Sequence, residues 1–308
     1  MLTKKTVVLA KIESVYGTDP TPTAAANAVE AYDLEVTPNP EMIERNPGNS
    51  DISRFPELRG KTFVDVKFSF PLKGSGTAGT APRIGPVLRS CGLGETIVSS
   101  TSVTYAPISS SLESSTIYAY LDGILHSIPG VVGDLELNYE AGQMPMGVFT
   151  GKGLYAIPTD VVIVSPTFDT TTPVIVKGAT YSFGSYSAII EKLMLKLGNK
   201  IAERPDFNQT EGFKGFAVTE RNPEGSMTIE AILRATSNAD FWSYFHSRTV
   251  KALSLALGAT AGNIQTITAS YGYCRVPKWG DREGQRTFEI PFQLARSSGN
   301  DEISIALT

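Results

Sequence analysis

The sequence predicts a mainly β chain of two tandem, related β-sandwich or barrel-like domains, each with a short flanking helix. Three observations carry this. Short alternations of apolar and polar residues, separated by turn residues, recur along all 308 residues. In the clearest one, Val64, Val66, Phe68, Phe70 and Leu72 face one way and Asp65, Lys67 and Ser69 the other. Each half also holds one short stretch with helical composition and a stop signal. Finally, the halves echo one another. YDLEVTPNPEMIER at 32–45 and KLMLKLGNKIAER at 192–204 keep one spacing from Leu34 to Glu44–Arg45 and from Leu193 to Glu203–Arg204. VDVKFSF at 64–70 answers to SMTIEAI at 226–232, and STIYA at 115–119 to QTITA at 265–269. A repeat of this length is a whole domain, not a solenoid unit.

Read in order, residues 1–30 are an N-terminal arm with a short β segment at 5–12 and a polar, Pro- and Ala-rich stretch at 16–30. The first β domain spans 31–157, with strands expected at 32–36, 62–72, 103–105, 116–121, 131–139 and 147–155. Its helix fits 83–91, after Pro82 and stopped by Gly92. Residues 158–185 carry PTFDTTTP and form a connecting segment. The second β domain covers 186–308, with strands expected at 188–197, 225–234, 252–257, 264–271, 286–294 and 302–307. Its helix fits 239–246, with Asn238 as the N-cap. Two long polar stretches, 37–61 and 198–215, read as loops available to a partner.

The bulk composition excludes several classes. A hydrophobic fraction of 41% with 19% charged residues is globular, not disordered. A net charge of −4 gives no reason to grip nucleic acid from outside. Apolar runs such as 161–164 are too short to cross a membrane, and the N-terminus lacks the apolar core and cleavage site of a signal peptide. Cys91 and Cys274 are expected to be reduced and structural.

No constellation selects a chemistry. Gly74, Gly76 and Gly79 form a G-x-G-x-x-G, but the flanking strands alternate as antiparallel ones do, and a nucleotide site needs a parallel βαβ unit. His126 and His246 have no second ligand at metal spacing. There is no G-x-S-x-G, and nothing selects a pair among the scattered carboxylates. Phe241, Trp242, Tyr244 and Phe245 cluster on the second helix with only Arg248 and Lys251 nearby, which favours packing over base stacking. The sequence therefore offers no catalytic, metal or cofactor-binding residues. The polar faces of 131–140 and 225–234 lean acidic, through Asp134, Glu136, Glu140 and Glu230 against Arg234. Such a face is either an ordinary solvated one or the lining of a channel that must not hold DNA.

Several stretches together resemble the major tail tube proteins of long-tailed bacteriophages, in their two-domain form. They are KIESVYGTD at 11–19, GSGTAGTA at 74–81 running into GPVLRSCG at 85–92, VTYAP at 103–107, LDGILH at 121–126 with GVVG at 130–133, GATAGNI at 258–264 and SGNDE at 298–302. The resemblance implies a structural protein of the virion tail, assembled in the host cytoplasm, with no enzyme activity and no cofactor. It implies strands that join those of neighbours into an inner barrel, and rings that stack into the conduit for viral DNA ejection. Two fused domains make three chains equivalent to a six-fold ring. The implied partners are further copies of the chain, terminator, tip or baseplate and tape measure proteins, and DNA passing without sequence-specific binding. Asp134, Glu136 and Glu230 are then candidate lumen-facing residues. The alternatives are a single-ring tail terminator or, from another class, a two-domain β carbohydrate-binding or hydrolytic protein, which needs convergent carboxylates or exposed aromatics in a concave site.

Overall fold

The computed structural model describes residues 2–236 and 238–308. The strands are β1 (Thr6–Ile12), β2 (Ala28–Val29), β3 (Tyr32–Ile43), β4 (Leu58–Pro71), β5 (Leu93–Val98), β6 (Ser102–Pro107), β7 (Ser115–Leu121), β8 (Ile124–Glu140), β9 (Met146–Leu154), β10 (Thr159–Asp160), β11 (Thr180–Phe183), β12 (Ile190–Lys196), β13 (Asn199–Pro205), β14 (Phe213–Arg221), β15 (Glu224–Glu230), β16 (Val250–Leu257), β17 (Gln265–Cys274), β18 (Lys278–Arg282), β19 (Gln285–Leu294) and β20 (Ser304–Leu307). Two short helices, α1 (Gly85–Ser90) and α2 (Phe241–Ser247), complete the described elements. The chain is thus mainly β, a sandwich of antiparallel sheets with two short helices.

One face of the sandwich is a continuous antiparallel run in the order β3-β4-β9-β8-β12-β15-β19-β18. It crosses from the first half of the chain to the second where β8 meets β12, with Leu137 opposite Leu195 and Tyr139 opposite Leu193. The opposing layer contains β5-β6-β20-β17-β16-β11 and, through the first half of β8, β7-β1-β2. Period-two alternation fills the space between the layers. Val66, Phe68 and Phe70 from β4, Leu135 and Leu137 from β8, Leu193 and Leu195 from β12, and Met227 and Ile229 from β15 belong to one buried cluster.

The helices differ in detail from expectation. Pro86 stands in the first turn of α1, Cys91 caps its end, and Gly92 turns the chain out at φ 77°. The cap of α2 is Asp240, not Asn238: its carboxylate accepts from the Ser243 amide at 3.0 Å, so the helix starts two residues later than expected. Asn238 itself adopts a left-handed φ of 59° in the preceding turn.

The two stretches expected to be long loops are the distal arms of hairpins. β3 and β4 extend to Ile43 and Leu58, leaving only 44–57 as loop, and residues 199–221 form the hairpin β13–β14. Alternation fails there because neither face of the first arm is buried and Pro38 and Pro40 interrupt it, while backbone pairing still holds the ladder.

Candidate functional site

The polar face of the long sheet gathers the candidate residues. Asp134 and Glu136 project from β8 on the side opposite Leu135 and Leu137, and Glu230 ends β15 on the side opposite Ile229. Asp134 stands opposite Thr150 of β9, and Glu136 stands between Val148 of β9 and Lys196 of β12. All three acids therefore share one face, as a single strand's alternation could not establish.

That face is not uniformly acidic. Lys196 also stands opposite Glu224, Lys192 opposite Glu140, and Lys278 lies 3.7 Å from Glu289. Lys152 lies 3.4 Å from Asp65. The acidic lean read along 131–140 and 225–234 is offset by lysines from neighbouring strands, and only the sheet register pairs them. The result is a wall of alternating sign, with exposed or half-buried charges that interact weakly.

A shallow groove of about 320 Å³ opens on this face between Asp134, Glu136, Thr150, Lys152 and Lys196. Asp134 is its most buried acid: its carboxylate accepts from the Asn199 amide at 3.0 Å and lies 3.8 Å from the Lys196 ammonium. Burial pushes this carboxyl above the usual range, against the lowering effect of those partners. Glu136 accepts from the Asn138 side chain at 2.8 Å. Both acids are thus held by neighbours from their own sheet and loop, and they line the groove together with Lys152 and Lys196.

At one end of the face, β13–β14 folds over the sheet of the first half. Phe213 and Phe216 pack on Val132, Phe63 and Leu154, with the Phe216 ring 5.6 Å from that of Phe63. The Tyr16 hydroxyl accepts from the Phe216 amide at 2.7 Å and donates to the Gly130 carbonyl, while Lys61 pairs with Glu203 at 2.5 Å. At the two sides of the sheet, β3 pairs only with β4 and β18 only with β19 among the described residues, so one edge of each is open.

The long sheet thus carries a charged but sign-balanced face and two strands whose outer edges pair with nothing among the described residues. The family model described as phage tail tube protein matches residues 3–308. The chain belongs to the phage tail tube protein family. No curated protein matches it. The tail tube family is structural, and its members belong to the virion tail, where they assemble with themselves and with other tail proteins.

In this tail tube chain the glycine motif has a packing role. A Cβ on Gly74 would collide with the Gly262 carbonyl, and the Gly74 amide donates to Asn263 Oδ1 at 2.9 Å. The aromatic helix likewise faces inward in part. Phe241 is buried against Phe183 and Tyr186, and Trp242 joins Trp279 and Phe288 at the outer edge of the sheet. His126 is half-buried, which lowers its pKa, and His246 lies in the last turn of α2. Both cysteines are free and buried. Burial pushes Cys274 up to about 12 and Cys91 upward as well.

Proposed function

We propose that three copies close into a ring of six related β units, and that rings stack into the tail tube through which viral DNA leaves. The observation that carries this is the β8–β12 seam. There the last strand of one sheet half pairs with the first strand of the next, edge to edge. The open edges of β3 and β18 are the same two kinds of edge at the two ends of the sheet. Unpaired strand edges seek partners, and a closed barrel is the arrangement that removes them all.

The strand order supports a duplication. β3-β4-β9-β8 in the first unit matches β12-β15-β19-β18 in the second, with β17 running toward β18 as the first part of β8 runs into its second. β7 pairs with β1 as β16 pairs with β11, and each long hairpin is followed by a short helix. The two units are 31–157 and 186–308, each joined by one strand from the preceding arm, 1–30, or connection, 158–185. In the ring the polar face that holds Asp134, Glu136 and Glu230 lines the lumen. Its mixed charge offers DNA no continuous basic track. Terminator, tip or baseplate and tape measure proteins are the further partners, met after synthesis in the host cytoplasm.

Negative-stain microscopy of the concentrated chain, with native mass measurement, tests the reading. Six-lobed hollow rings of three chains, stacked into tubes, are expected. Rings that never stack would make the chain a terminator, and rings of six chains would remove the equivalence of the two units.

A further inference from the structure

We propose that the root of the second hairpin binds a buried water molecule between the Arg221 guanidinium, the Glu302 carboxylate and the Asn199 side-chain amide. The site is independent of the ring and of the duplication. Among the described residues four buried side-chain polar atoms have no hydrogen-bond partner: Ser115 Oγ, Asn199 Oδ1, Arg221 Nε and Glu302 Oε2. Folded proteins leave few such atoms, because each costs free energy unless some group answers it. Ser115 stands on β7, opposite Ile12 and Val131. The other three atoms belong to residues joined to one another.

Asn199 and Arg221 are partners across β13 and β14, so their side chains leave the same face of the hairpin. Asn199 uses both amide hydrogens on the first half of the chain, donating to the Cys91 carbonyl at 2.7 Å and the Gly133 carbonyl at 3.0 Å. That fixes which end of the amide is oxygen, since a flipped amide would set its oxygen against two carbonyls. Arg221 Nη1 donates to the Ile108 carbonyl at 3.1 Å. The Ile108 amide in turn donates to the Gly92 carbonyl at 3.0 Å, one residue from Cys91. Arg221 Nη2 donates to Asn300 Oδ1 at 3.2 Å and to Glu302 Oε1 at 3.5 Å. The Arg221 and Glu302 side chains are only 11% and 14% exposed. One N–H and two oxygens are left unused at this joint.

A ligand that answers all three must accept one hydrogen bond and donate two. The guanidinium and the carboxylate balance, so it must also be neutral: a cation would meet Arg221 and an anion would meet Glu302. An ammonium has no acceptor, and an alcohol has one donor only. Water has two donors and an acceptor, and about three hydrogen bonds are usual for a buried one. The rival arrangement is a direct fork, with Nε on Oε2 beside Nη2 on Oε1. The 3.5 Å between Nη2 and Oε1 is longer than the roughly 2.7–2.9 Å of such forks. A fork would also leave Asn199 Oδ1 unanswered, whereas water answers all three atoms.

A crystal structure of the full chain, at a resolution that shows ordered water, tests the site. A peak within about 3.2 Å of Arg221 Nε, Glu302 Oε2 and Asn199 Oδ1 is expected. A map with no peak there, or with Arg221 Nε bonded directly to Glu302 Oε2, overturns it. Magnetic resonance of the isotopically labelled chain gives the same test in solution. The arginine Nε–H resonance that Arg221→Lys removes is expected to carry a dipolar cross-peak to water in the parent. Loss of that cross-peak from the parent spectrum overturns the site. Where Arg221→Lys fails to fold, Glu302→Gln, which shifts the same resonance, identifies it.

Discussion

Glu13 shows how much one residue can hold. It is buried at the end of β1, and its carboxylate accepts from the Ser114 and Thr116 hydroxyls at 2.5 and 2.6 Å and from the Gly130 and Gly17 amides at 2.7 and 2.8 Å. It ties the N-terminal strand to β7 and β8 at once. Glu13→Ala strands those donors and is expected to cost roughly 3–5 kcal/mol, against about 1–3 kcal/mol for Glu13→Gln, as measured by urea denaturation. Asp134 behaves in the opposite sense. Its folded-state pKa is raised by burial, so the fold favours its protonated form and bears a penalty once the group ionises. That penalty is present above the folded pKa and absent below the unfolded one. Asp134→Asn keeps an oxygen acceptor for the Asn199 amide and is expected to raise the melting temperature at neutral pH. The gain should shrink as pH falls through the carboxylate range. Neither role was legible in the sequence, because each partner set lies more than sixty residues away along the chain for all but one contact.

At the scale of elements, legibility followed burial. The strands at 64–72 and 131–139 showed clean alternation because one face of each meets the core. The distal hairpins showed none. Nothing in Asn199–Pro205 alternates, yet β13 and β14 pair along their whole length and dock through two phenylalanines. The hairpin is held by this apolar cluster together with the Tyr16 hydrogen bond and the Lys61–Glu203 pair, and the cluster is the part that a single truncation removes. Phe216→Ala is expected to cost about 3–4 kcal/mol of the hairpin's docking, since a large buried aromatic is lost. Limited proteolysis within 206–212 should then accelerate while the core strands stay protected. Equal protection in the variant and the parent would mean that Tyr16 and the Lys61–Glu203 pair hold the hairpin without Phe216.

For the whole molecule, the ring proposed above would make the long sheet a surface that continues from copy to copy. Its charge pattern should matter only for what passes along it. Glu136 and Glu230 sit on that surface, and no ion pair joins either to another strand among the described residues. Asp134 is a poor site for reversal because it holds Asn199. Replacing Glu136 and Glu230 by lysine, with Asp134→Asn, should therefore leave ring formation unchanged and turn the sign-balanced wall basic. Each added lysine gives the passing phosphates a contact and a counterion release, so DNA release from purified particles should slow. The slowing should fade as salt is raised, because the contacts are screened at the Debye length of the buffer. Release that slows equally at all salt concentrations would point to altered assembly, and release at the parent rate would place these side chains away from the lumen. The salt dependence thus distinguishes a wall that touches DNA from one that only supports the tube.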